Sequence, residues 1–301
     1  MTGTPHPQLT GGYIDRDAAA RASEDALDAA WAEPGARLLR FREGRVAVRE
    51  RGAERTSLDL IPVEGRRGPD HYYLGRAAGD PVFAAEAVDG SRPEPEPQAG
   101  WCQPFEAGAG FDPVEGELLA VGLALIAWHR TSPFSPRDGG PTRPALGGWA
   151  RIDAHGGEHF PRTDPVVIVL VEHEDRLLLG SNALWESGRF SLLAGFIEAG
   201  ESAEQAVIRE IEEESGLRVD DVRYVVSQPW PFPRSLMLGF RARPAAGADP
   251  DALVPDPGEL SEVRWFTRRE LSDPAPGIRL PMPMSIARWL IDLWVAEGDG
   301  G

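Results

Sequence analysis

A chain of 301 residues, 42% of them apolar, is long enough for two domains with their own cores, yet its longest apolar run, 118–128, is too short to cross a bilayer. A net charge of −17 disfavours nucleic-acid backbones and anionic membranes, so neither DNA nor a membrane is an expected partner. The single cysteine, Cys102, excludes an internal disulfide and a cysteine-based zinc site, the absence of lysine removes Schiff-base and P-loop chemistry, and without a hydrophobic leader the expected location is cytoplasmic.

Residues 1–12 are polar and read as loose. The stretch 15–31 is Ala-rich with helical character, and strand-like pieces follow at 37–42, 45–48, 57–63, 71–74 and 81–87, separated by Gly, Pro and charge clusters. Prolines in 91–98 mark a loop, and 113–128 reads as an apolar helix. This half is an α+β domain without a chemical motif; its His71-Tyr72-Tyr73 cluster reads as strand packing. From 164 the texture changes. A continuous apolar strand at 166–171 is followed by strands at 176–179, 191–193, 222–226, 236–241 and 262–266. Ser285 caps a last helix in which Ile286, Trp289, Leu290, Leu293 and Trp294 repeat at i, i+3, i+4, i+7 and i+8. Strands around two helices predict an α/β/α sandwich, and the whole chain is expected to be α+β.

The chemistry concentrates in 195–217. Ser202 with Gln205 forms a capping-box start, and Gly216 stands where a helix ends in the left-handed conformation. On the helix between them Glu210 and Glu214 are four apart and share one face, flanked by Glu213. Ala203, Val207 and Ile211 share that face, so the carboxylates border the apolar stripe and should point into the domain. Like charges that close repel, and a divalent cation relieves them; hard oxygen ligands favour Mg²⁺ or Mn²⁺. Arg209 reads as the partner that orients the carboxylates. The segment reproduces the Gly-x5-Glu-x7-Arg-Glu-U-x-Glu-Glu-x-Gly-U box of the Nudix hydrolases, U being a bulky aliphatic, with every fixed position filled from Gly195 through Glu201 and Arg209 to Leu217.

Beyond the box, Ser227-Gln228-Pro229-Trp230-Pro231-Phe232-Pro233-Arg234-Ser235 resembles the SQPWPFPxS signature of the NADH pyrophosphatases, a Nudix branch whose members also remove NAD caps from RNA. Read by itself, the segment is a stiff proline-fixed loop with aromatic and polar groups suited to a planar base and a ribose. The resemblance implies metals held by the Ala194 carbonyl, Glu210, Glu214 and Glu259, with Glu213 beside them. It implies nicotinamide stacked between Phe196 and Phe160 of the partner subunit in a homodimer, with Gln228, Pro229, Trp230, Pro231, Phe232, Pro233, Arg234, Ser235 and Ala287 lining the rest of the pocket. The expected reaction is metal-dependent hydrolysis of the diphosphate of NADH, NAD or the 5′ end of NAD-capped RNA to nicotinamide mononucleotide and AMP, with Glu213 or Glu214 as base. Alternatives are a pyrophosphatase for ADP-ribose or another nucleoside diphosphate derivative, or a ligand sensor without catalysis.

Relatives carry a four-cysteine zinc ribbon between their domains, and here no thiolate remains. Ser135 and Asp138 stand at the first pair, and Ile152 with His155, or Asp153 with Gly156, at the second. Structural zinc is therefore expected to be absent, with Trp149, Phe134 and packing against the Nudix domain or a partner chain holding the segment 134–157. The expected division is an N-terminal domain over 1–128, a ribbon-like connector over 129–160 and a Nudix domain over 161–301.

Overall fold

A computed structural model describes residues 6–50, 56–87, 99–107 and 110–298; the loop read at 91–98 lies outside them. The chain divides into two compact units. One holds Leu9–Thr163 with Pro231–Arg234, and the other holds Asp164–Trp230 and Ser235–Gly301 with the first residues up to Gln8. Among the described residues no helix is long and apolar enough to cross a membrane.

The N-terminal unit is built on an eight-stranded mixed sheet and the helix Pro113–Thr131. That helix starts where Asp112 and Glu115 close a capping box with Pro113 at its first position. Glu117, buried on it, accepts the Tyr13 and Ile14 amides at 2.6 and 3.2 Å, and Leu9 is buried as well. The expectation of a loose 1–12 is thus corrected for its described part: a carboxylate and a core leucine tie the entry down. The strand read at 57–63 is two short strands, Thr56–Leu58 and Ile61–Pro62, because the buried Asp59 between them turns to meet Arg40 and Arg49 at 2.5 and 2.8 Å.

The ribbon region forms a small three-stranded sheet of Arg143–Ala145, Ala150–Ile152 and Glu158–His159. Two tight turns flank it. In the first the Ser135 amide donates to Gly140 O, and in the second the Asp153 amide donates to Gly157 O. Asp153 accepts the amides of His155 and Gly157 and faces His159 Nε2 at 3.1 Å. His155 reaches Asp138 at 3.3 Å. Phe134 does not anchor the segment, since it is 61% exposed. The hold comes from Trp149, whose indole donates to Tyr73 O at 2.7 Å, and from a buried pair that sequence reasoning missed, His129 with Arg151.

His129 Nε2 donates to Gly148 O at 2.8 Å, its Nδ1 accepts from Arg151 at 2.7 Å, and the ring stacks on Tyr72 at 4.0 Å. Burial and the facing guanidinium push its pKa from 6.5 down to about 4. The unfolded chain therefore binds a proton in this window that the folded chain refuses. The stabilisation is complete above about pH 6.5 and is lost as pH falls towards 4, to a total of about 3 kcal/mol. Unfolding by urea at pH 7, 5.5 and 4.5, with an NMR titration of the ring, checks this. A His129 resonance titrating near 6.5 in the folded protein would refute it.

In the second unit the central strand Asp164–His173 runs parallel to Ser235–Pro244 and antiparallel to Leu193–Phe196 and Arg176–Asn182. Its side chains alternate between two cores. Val167, Val169 and Val171 pack with Ala206, Val207 and Ile211 of the helix Ala203–Ser215. Ile168 and Leu170 pack with Ile286, Leu290 and Trp294 of the helix Ile286–Gly298. A strand covered on both faces must be apolar at every position, which explains the unbroken run at 166–171. The result is the α/β/α sandwich the patterning predicts.

Candidate active site

The helix Ala203–Ser215 begins at the reciprocal Ser202–Gln205 capping box and ends at Gly216, whose φ of 72° is left-handed. Its buried face carries Glu210 and Glu214, while Glu213 stands 59% exposed. The Glu210 carboxylate lies directly over the backbone of Gly195 on the strand Leu193–Phe196. A Cβ at residue 195 would come within 1.8 Å of Glu210 Cδ, so the approach exists only because that position is glycine.

Arg209 organises the rim. Its guanidinium meets Glu201 at 2.8 Å, Glu210 at 2.8 Å, Glu213 at 2.9 Å and the Phe196 carbonyl at 2.9 Å. Glu201 in turn accepts the Glu198 amide, and the guanidinium beside it holds its carboxyl down to about 2. Arg209 thereby fixes the loop after Gly195 to the helix and spreads its charge over three carboxylates.

Glu214 receives none of that charge. One of its oxygens accepts the Ala194 amide, and Oε2 is buried with no hydrogen-bond partner among the described residues. Burial, then repulsion from Glu210 and Glu259, raises its carboxyl to about 8. Glu210 is raised in the same direction by burial. Glu259 is exposed in the turn before the strand Leu260–Thr267. Among the described residues no group of three or more His, Cys, Asp or Glu side chains forms a ready-made metal cage. The orphaned Glu214 oxygen and the mutual repulsion nevertheless fit a divalent cation, the species that would satisfy both.

Glu214 and Ala194 open onto a cavity of about 300 Å³. Gln228, Trp230 and Ala287 line it too, so it gathers residues from both the box and the segment after it. That segment is a hairpin end rather than the stiff loop its prolines predict. Gln228 to Trp230 end the strand Val219–Trp230, Ser235 opens Ser235–Pro244, and Trp230 pairs with Ser235 across a four-residue hairpin tip. Pro229 is accommodated because this is the outermost strand, where a missing donor costs no ladder bond. Gln228 is fully buried, donates to Gln8 O and Met284 O at 2.7 and 2.8 Å and accepts the Ile286 amide. Its polar atoms are thus spent inside the protein, holding the start of the last helix. The tip, Pro231, Phe232, Pro233 and Arg234, groups with the N-terminal unit, where Phe232 meets Phe105 at 4.0 Å. Phe160 is in that unit as well, 60% exposed. Phe196 is 57% exposed and does not line the cavity. Sequence reasoning missed Asn182, Trp185, Arg189, Met282 and Ser285, which do line it. The signal available was a tryptophan in a polar connector between two strands.

Comparison with known proteins gives this chain its relatives. The NUDIX domain family matches residues 161–285. The NAD-capped RNA hydrolase NudC of Mycobacterium bovis (strain BCG / Pasteur 1173P2) is 40% identical over 304 residues, covering 96% of this chain and 95% of that protein. The protein of the same name from Stutzerimonas stutzeri (strain A1501) is 39% identical over 248 residues, covering 82% of each. Among solved structures, a NUDIX hydrolase from Nitrosomonas europaea aligns with 56% of this chain and 93% of its own at 25% identity and a TM-score of 0.44. Because the identity to the first of these relatives runs through nearly the whole chain and not only through the half that carries the carboxylates, the chain belongs to the NudC family of Nudix hydrolases.

Proposed function

We propose that this protein hydrolyses the diphosphate bond of NADH, of NAD and of NAD-capped RNA, releasing nicotinamide mononucleotide and AMP or a 5′-monophosphate RNA. The observation that carries the reading is a buried, unsatisfied Glu214 oxygen on the floor of a cavity whose other walls come from the segment 228–230 and from Ala287. The Ala194 carbonyl, Glu210, Glu214 and Glu259 would hold Mg²⁺ or Mn²⁺, with Glu213 beside them. A bound divalent ion supplies neutralisation of the diphosphate charge and a more acidic water. Glu214 or Glu213 would take a proton from the attacking water as the P–O–P bond breaks: Glu214 is buried beside Ala194, and Glu213 is solvent-facing and paired with Arg209. Turnover of NADH, NAD, ADP-ribose and NAD-capped RNA compared in one assay, with and without Mg²⁺ or Mn²⁺, tests the reading. Metal-independent turnover, or preference for ADP-ribose, would overturn it.

The reading places the protein in the cytoplasm as a homodimer, and the exposed aromatics Phe134 and Phe160 support a second copy. With nicotinamide on Phe196, Phe196→Ala is expected to lose about 1–3 kcal/mol of binding, the scale of aromatic–base stacking, or roughly five- to 150-fold in affinity. ADP-ribose, which lacks the ring, should lose much less; equal losses would make Phe196 a packing residue. The connector is read as metal-free, its turns closed by Ser135, Asp138 and Asp153. Elemental analysis after dialysis against a chelator should find no zinc, and one tightly held zinc per chain would refute this.

A further inference from the structure

The cavity wall at Trp230 is fixed from two sides. Gln228 and Trp230 stand two residues apart on one face of the strand Val219–Trp230, and both line the cavity. Gln228 is fully buried, and its amide is spent on Gln8 O, Met284 O and the Ile286 amide, so this end of the wall cannot shift without breaking three hydrogen bonds. Trp230 is half-buried at the end of the strand, and its other side is set by whatever holds the tip Pro231–Arg234. Hairpin tips are normally polar. This one carries a buried proline, Pro231, and a half-buried phenylalanine, Phe232, against which the ring of Phe105 packs with its centre at 4.0 Å and a tilt of 35°.

Phe105 has a firm base. The strand Ala99–Cys102 lies antiparallel along Arg45–Glu50, with Cys102 opposite the fully buried Val46 and Trp101 opposite the fully buried Ala47. The helix Pro104–Ala107 follows one residue later, opened by a buried proline, and presents Phe105 on its surface. The tip that Phe105 meets has little slack, because Pro231 and Pro233 bracket Phe232 and each fixes its own φ. A displacement of Phe232 is therefore passed to Trp230, two residues back along the chain. We propose that Phe105 is a positioning residue for the substrate cavity: it holds Phe232 and, through the proline-stiffened tip, sets Trp230 against the ring end of the dinucleotide. This rests on the function proposed above, which gives the pocket lined by Gln228, Trp230 and Ala287 to nicotinamide.

The test measures kcat and KM of the full-length protein and of its Phe105→Ala, Phe105→Tyr, Phe232→Ala and double-alanine variants. NADH is the substrate, and ADP-ribose, which lacks the ring, serves as second substrate or competing inhibitor. Phe105→Ala should raise KM for NADH about two- to tenfold, the worth of one aromatic pair, with kcat nearly unchanged and the constant for ADP-ribose unmoved. Phe105→Tyr, which keeps the ring, should restore the NADH value. The double variant should be no worse than Phe232→Ala alone, since the two rings form one contact. Equal losses on NADH and ADP-ribose, additive effects of the two alanines, or an unchanged KM in Phe105→Ala would overturn the assignment. Should Phe105→Ala fail to fold, Phe105→Leu, which keeps most of the apolar volume without the ring, takes its place in each comparison. Hydrolysis of NADH by the unaltered protein is measured first, so a failure of the proposed function shows before any variant is made and is distinct from a failure of Phe105.

Discussion

Glu214→Gln is expected to leave the chain folded while reducing turnover by roughly 10²- to 10⁴-fold, and further if an ion is lost with the charge. The amide is nearly isosteric with the carboxyl and replaces a group that burial already pushes towards its neutral form, so the core around Ala194 has no reason to loosen. What disappears is the negative charge that the unsatisfied Oε2 offers to a cation. The metal-free variant should therefore melt at or above the unaltered protein's temperature, and the rise in melting temperature with Mn²⁺ should shrink. Most activity surviving at saturating Mg²⁺ or Mn²⁺ would remove Glu214 from the site.

Gly195→Ala is expected to be comparably damaging through a single methyl group. The new Cβ would stand 1.8 Å from Glu210 Cδ and 2.0 Å from both its oxygens, so the carboxylate must leave its place over the strand. Leaving also strains the bonds from Arg209 to Glu210 and to the Phe196 carbonyl. We expect kcat to fall at least about 10²-fold, in line with misplaced catalytic groups, and stability to fall by about 1–3 kcal/mol, as for overpacking. Steady-state kinetics with a Mn²⁺ titration, alongside urea unfolding, measures both. Near-normal kcat would mean that Glu210 works equally well from another position.

The contrast between these residues shows what was legible in the chain. Ser202, Gln205 and Gly216 were readable because caps are local, each acting within a few positions along the helix. The inward direction of Glu210 and Glu214 was readable because helical periodicity ties them to Val207 and Ile211. That Gly195 makes room for Glu210 was not, because the clash it avoids lies between a strand and a helix. The same holds for Gln228. Its residue type suggests a reader of substrate, but the Ile286 amide and two carbonyls consume it, partners distant in sequence. Trp185 and Arg189 were invisible for a third reason. They sit in an irregular connector, where no period links a residue to the cavity it faces.

The parallel ladder between Asp164–His173 and Ser235–Pro244 carries a consequence for how the protein comes into being. Every pair in that ladder, from Asp164 with Ser235 to Val171 with Ala242, closes a loop containing the box helix and the strand before it. Such closure is entropically late and tends to slow folding. During synthesis, the central strand must wait with one edge unsatisfied until residue 244 has emerged. The face carrying Ile168 and Leu170 stays open to misassociation longer still, until the helix Ile286–Gly298 has emerged. A cation held at Glu210 and Glu214, as proposed above, would reward a completed domain rather than seed one.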